Sequence, residues 1–110
     1  MVQEAFSDSD RAVLRIIQRR LGERFEIKRM VLFGSRVTGR ATAESDYDVL
    51  VVTESDIPFV ERQGLALLAL GKRDFPLDLL VYTSQEAERE AHMLGSAVYW
   101  AEREGKEFLA

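Results

Sequence analysis

The sequence contains no cysteine, only two prolines and a single histidine. Without cysteine there can be no disulfide, no zinc–thiolate site and no thiol nucleophile, which suits a reducing compartment without requiring one. The scarcity of proline, with 46% hydrophobic and 31% charged residues, excludes a disordered or fibrous composition and describes an ordinary packed chain. No apolar stretch approaches the roughly 20 residues that span a bilayer. The opening MVQEAFSDSDRAVLR also lacks a basic segment followed by an apolar run, so a cytoplasmic protein with no membrane association is expected. A formal net charge of -4 has the wrong sign for free-standing affinity to nucleic-acid phosphates, and no stable nucleic-acid partner is expected. At 110 residues the chain can build one compact core, so 1–110 reads as a single domain.

Hydrophobic spacing divides this domain into alternating elements. Ser7-x-x-Asp10 offers a helix cap, and Val13, Leu14, Ile17 and Leu21 recur at helical spacing, which predicts an amphipathic helix from about Ser9 to Gly22. Arg11, Arg15, Arg19 and Arg20 form its solvated face in this reading. The run 27–33 stops at Gly34 as a strand does on entering a turn. A second strand is expected over Ser45–Thr53, whose later half is β-branched and suited to burial on both faces. A helix between Asp56 and Gly71, a strand over Leu77–Tyr82, a helix capped by Thr83 or Ser84 and interrupted by Gly95, and a helix over Ser96–Glu104 complete the series. Residues 106–109 can add a short edge strand. The order predicts an α/β fold, a small mixed β-sheet covered by helices.

The chemically informative residues are Gly34, Ser35 and Arg36 at the end of the first strand, Asp46 and Asp48 at the start of the second, and Asp78 in the third. Residues alternate faces along a strand, so Asp46 and Asp48 are expected on one side with Tyr47 on the other. Paired carboxylates repel unless a cation lies between them, and hard divalent ions prefer oxygen ligands. Asp78 interrupts an apolar strand where burial of an unpaired charge is costly, and it joins the pair if the second and third strands are neighbours. Three such acids can hold two metal ions for in-line phosphoryl or nucleotidyl transfer. Gly34 lets backbone approach an anion, Ser35 offers a hydroxyl and helix-turn amides to phosphate oxygens, and Arg36 and Arg40 add positive charge. Each feature also has a plain structural explanation: Gly34 as a turn glycine, Ser35 as a cap, Asp46 as a solvated strand boundary, and Arg36 and Arg40 as surface charges paired with Glu44. His92 reads as a surface residue, Tyr47 as packing, and Tyr99, Trp100 and Phe108 as core or interface aromatics.

For Arg36 and Arg40 the two readings stand even, but Gly-Ser, the acid pair and the third acid together are far more specific than any one of them. Gly-Ser, then ten residues from Arg36 to Ser45, then Asp-x-Asp resembles the pattern of the minimal nucleotidyltransferases of the DNA polymerase β superfamily, over nearly the whole chain. The resemblance implies a polymerase-β-like fold, with Asp46 and Asp48 binding both Mg2+ ions (or Mn2+) and Asp78 binding the catalytic ion and orienting the attacking hydroxyl. Gly34 and Ser35 would hold the phosphates of ATP. It further implies transfer of AMP to a tyrosine of a partner HEPN-domain toxin, the chain serving as antitoxin. Two other functions are open: a module that neutralises its partner by contact alone, and transfer to a small molecule, for which related enzymes carry an additional helical domain. Exposed aromatics toward the C-terminus suggest homo- or hetero-oligomers.

Overall fold

A computed structural model describes residues 6–42 and 44–108. Helix α1 is Asp8–Gly22, capped by Ser7, whose hydroxyl accepts the Asp10 amide at 3.1 Å as the sequence pattern predicts. Strand β1 (Ile27–Phe33) leads into a single helical turn, α2 (Ser35–Thr38). There follow β2 (Tyr47–Thr53), α3 (Phe59–Leu70), β3 (Leu77–Tyr82), α4 (Ser84–Ala91), α5 (Ala97–Glu104) and β4 (Lys106–Glu107).

Three boundaries depart from expectation, each for a local reason. β2 starts at Tyr47, not Ser45, because Ser45 closes a turn: its amide donates to Thr42 O at 3.1 Å and its hydroxyl accepts the Thr42 amide at 2.9 Å. Such side-chain bonds compete with a strand ladder. α3 starts only at Phe59, since Pro58 keeps the residue before it out of helical geometry. At the other end β4 stops at Glu107, and Phe108 turns inward to pack edge-on against Phe6, while its amide donates to Met30 O at 2.8 Å. Leu109, the last residue of the expected edge strand, lies outside the described residues.

The sheet order is β3-β2-β1-β4, with β2 and β3 parallel and the other pairs antiparallel. The parallel pair needs a crossover, which α3 supplies. Side chains alternate between two cores. Met30, Leu32, Val49, Val51, Leu79 and Val81 face α1 and α3, where Leu14, Ile17, Leu21, Ala66 and Leu70 meet them. Val31, Leu50 and Val52 face α4 and α5, against Ala87, Val98 and Ala101. β2 is thus buried on both faces, as its β-branched run requires.

Polar side chains fasten this sandwich in ways the hydrophobic pattern hides. β3 is an edge strand, and the Gln63 amide occupies its free side by donating to Leu79 O at 2.9 Å and accepting the Val81 amide at 2.6 Å, in place of a further strand. Arg20, expected on the solvated face of α1, instead donates to Leu70 O and Lys72 O at 2.7 and 2.8 Å and closes the C-terminal end of α3. Arg62 is fully buried and donates to Glu86 Oε1 at 2.6 Å, while the same oxygen accepts the Thr83 amide in the capping box of α4. This pair ties the crossover helix to the exit of β3. Arg62→Ala would leave the Glu86 carboxylate without its cation and should lower the unfolding free energy by about 3 kcal/mol. Urea denaturation measures this, and a loss well under about 1 kcal/mol would show that the capping bonds alone hold α4.

Candidate active site

Pairing register brings the chemistry together. In the parallel ladder the Cα of Asp48 is opposite that of Asp78, and in the antiparallel ladder it is opposite Phe33, the residue before Gly34. Asp48 shares its face with Leu50 and Val52, and Asp78 shares its face with Leu80 and Tyr82. Both acids therefore project on the α4/α5 side, at the end of the sheet where Asp78 is exposed and Asp48 half-buried. Asp46 precedes the strand and is exposed. The exposure of Asp78 removes the burial cost that the sequence suggested for it; its place opposite Asp48 is what marks it out.

Gly34 is part of the same construction. Its φ of 79° lies in the left-handed region, and a Cβ added there would stand 2.1 Å from Asp48 Oδ2. The absence of a side chain is thus the space in which the Asp48 carboxylate sits. Ser35 opens α2 directly after it, where the first amides of a helix have no partner within the helix. Partial burial pushes the Asp48 carboxyl above the ordinary carboxylate range, and the charges of Asp78 and Asp46 push it further. Repulsion of this kind is relieved by a cation.

Arg36 goes elsewhere. Its guanidinium donates to Ser45 O, lies 3.9 Å from the centre of the Tyr47 ring and approaches Asp10 at 3.7 Å, so its ion-pair partner is Asp10 and not Glu44. Tyr47 is buried as packing, edge-on to Phe75 at 5.9 Å. Burial, together with the Asp10 carboxylate, raises the Tyr47 phenol above its usual range. The contacts that Asp10, Gln63 and Arg62 make here have no local signature in the sequence, because their partners are distant in the chain; Asp10 is legible only as part of the α1 cap, and the polar Arg62-Gln63 pair only as an interruption of an apolar helix. His92 is exposed at the end of α4, as expected of a surface residue. A cavity of about 280 Å³ lined by Arg29, Val52, Ser84, Glu88, His92 and Glu102 lies four residues along β2 from Asp48, roughly 13 Å away, and does not border the acids.

The donor chemistry suits a hard divalent cation, since carboxylates are its preferred ligands. Among the described residues no three acids are already gathered about one point as a bound ion requires; Asp48 and Asp78 are paired by the ladder, and Asp46 stands on the adjoining loop.

The sequence matches the family model described as "Nucleotidyltransferase domain" over residues 14–109. The chain belongs to the nucleotidyltransferase-domain family. Solved structures of the same fold include a proposed nucleotidyltransferase from Sulfolobus solfataricus, 18% identical, covering 81% of this chain and 85% of that one with a TM-score of 0.54. They also include a toxin–antitoxin structure with AMP-PNP, 19% identical, covering 92% and 72% with a TM-score of 0.56. No curated protein matches significantly. The four-stranded mixed sheet with its helices is therefore a nucleotidyltransferase fold, and among the described residues no helix is long and apolar enough to cross a membrane.

The strained carboxylate gives this nucleotidyltransferase domain a measurable property. A carboxyl whose folded pKa is raised favours the protonated native state, so its cost is absent below the unfolded pKa and grows as pH rises through the folded one. In chelator, Asp48→Asn should therefore raise Tm at neutral pH, with the gain over wild type vanishing as pH falls below the ordinary carboxylate range. A gain independent of pH would place its origin outside the Asp48 charge. Gly34→Ala, which pits a methyl group against that carboxylate, should lower Tm at every pH.

Proposed function

We propose that this domain transfers AMP from ATP to a hydroxyl of a partner protein, using Mg2+ held by Asp46, Asp48 and Asp78. The observation that supports it most directly is the Asp48–Asp78 pairing at an open sheet end, with Gly34 yielding the space beside it. When bound, the ions supply charge neutralisation of the triphosphate and acidify the attacking hydroxyl. Gly34 leaves room for the Asp48 carboxylate at the mouth of the site, and the Ser35 hydroxyl and amide donate to the phosphate oxygens. Asp78, the more exposed acid of the pair, orients the incoming hydroxyl. The acceptor hydroxyl gives up its proton to solvent as its oxygen bonds to the α-phosphorus, the bond from that phosphorus to the bridging oxygen breaks, and pyrophosphate leaves.

The acceptor is proposed to be a tyrosine of a HEPN-domain toxin, with this chain as antitoxin. Asp46 and Asp78 stand in the open, away from the cavity between the helices, so the site supplies little wall around an acceptor. A partner protein can supply that wall. The toxin–antitoxin structure with AMP-PNP, sharing this fold, is consistent with both the nucleotide and the partner. Incubation with ATP, Mg2+ and a HEPN-domain partner should add AMP to that partner, as read by intact-mass spectrometry. Loss of both acids in Asp46→Ala/Asp48→Ala should slow the reaction about a thousandfold or more, the scale of several kcal/mol of lost charge stabilisation. Modification undiminished in the double variant would sink the assignment.

One observation favours a second reading, a module that neutralises its partner by contact alone: the three acids are not gathered about one point. Under that reading the double variant still suppresses toxicity in cells.

A further inference from the structure

Asp46 differs from the other two acids in having no place in the sheet. Asp48 and Asp78 are set by ladder pairing, whereas Asp46 lies just ahead of β2 and has no ladder partner, so its neighbours in the chain position it. Arg36 grips both of them. Its Nε and Nη2 donate to the Ser45 carbonyl at 3.2 and 2.8 Å, and its guanidinium stacks 3.9 Å from the Tyr47 ring centre. The remaining nitrogen, Nη1, lies 3.7 Å from Asp10 Oδ1, and the Arg36 and Asp10 side chains are only 13% and 14% exposed. Tyr47 is pinned in turn by Phe75 and by its own amide, which donates to Pro76 O at 3.0 Å. One side chain from α2 thus reaches the loop, the start of β2 and the first turn of α1.

We propose that Arg36 is a positioning residue: it holds Ser45 and Tyr47 so that Asp46 stays within reach of Asp48, and it does not itself contact phosphate. The inference rests on the three acids forming the metal site of the function proposed above. A planar guanidinium suits the task, because it can stack on an aromatic ring while two of its N–H groups point at one carbonyl; an ammonium cannot do both. The flanking placement matters because Asp46 lacks any ladder bond of its own. Without Arg36, the turn closed by Thr42 and Ser45 remains, but among the described residues no other hydrogen bond or ion pair joins Ser45 to α1 or to the Tyr47 ring.

The test uses Mn2+ alone, Mg2+-ATP, and backbone amide relaxation. Arg36→Ala should weaken Mn2+ binding, followed by electron paramagnetic resonance, about tenfold or more, the range for losing a residue that orients a metal ligand. In the metal-free protein the Ser45 and Asp46 amides should gain fast motion while those of Val49–Val52 stay rigid. Arg36→Lys, which keeps the charge without the two-donor grip, should resemble Arg36→Ala. Native Mn2+ affinity and an unchanged loop in Arg36→Ala would overturn the proposal. So would weakened Mg2+-ATP binding with native Mn2+ binding, which is the result expected of a direct phosphate contact. Should Arg36→Ala lose its β2 amide dispersion, folded Arg36→Lys decides: weakened Mn2+ binding supports the role and native binding refutes it. A wild-type protein that binds Mn2+ yet modifies no acceptor sinks the transfer function and leaves the positioning role standing; one that binds no Mn2+ sinks both.

Discussion

The parallel pairing of β2 with β3 is the constraint on which the rest of the molecule depends. It places Asp48 opposite Asp78, and since strand residues alternate, it also decides that Leu50, Val52, Leu80 and Tyr82 face α4 and α5. A slip of one residue would send the acids into the core beneath α1 and α3 and turn Val49 and Val51 the other way. Burial of β2 on both faces and the crossover through α3 make that slip costly. The hydrophobic core therefore acts as the ruler that sets the distance between two like charges.

Those charges carry a cost that the fold accommodates in two ways. Gly34 withdraws its side chain to give the Asp48 carboxylate room, and the sheet end is left open so that Asp78 keeps its hydration. Polar groups elsewhere do the opposite work of tightening: Gln63 along the edge of β3, Arg62 on Glu86, and Arg20 at the end of α3. Each of these lies on or beside the crossover, so the element that enforces the parallel register is itself held at both ends.

Much of the fold was legible in the sequence. The capped first helix, β1 and β3 appear where their periodicity places them, because each buries one stripe or one apolar run and little else competes. The boundaries that shifted did so where local hydrogen bonds, proline geometry or inward packing outweigh the hydrophobic pattern, at Ser45, at Pro58 and at Phe108. In the candidate site, the sequence drew attention to Gly34, Asp46, Asp48 and Asp78 by residue type and spacing. It misjudged the reason for Asp78, which is exposed, and the direction of Arg36, whose partners Asp10, Ser45 and Tyr47 are scattered along the chain.

By itself, then, the sequence determined which residues carry charge and which share a face of a strand, since identity, spacing and strand alternation are local properties. Membership of the nucleotidyltransferase family is likewise written in the spacing of Gly-Ser and Asp-x-Asp. Only the tertiary structure decided that Asp48 faces Asp78, that Gly34 is the space beside them, and that Arg36 turns toward Asp10. Contacts of that kind depend on register and on packing between distant segments, where the energy lies in burial and hydrogen bonding and not in any short stretch of chain.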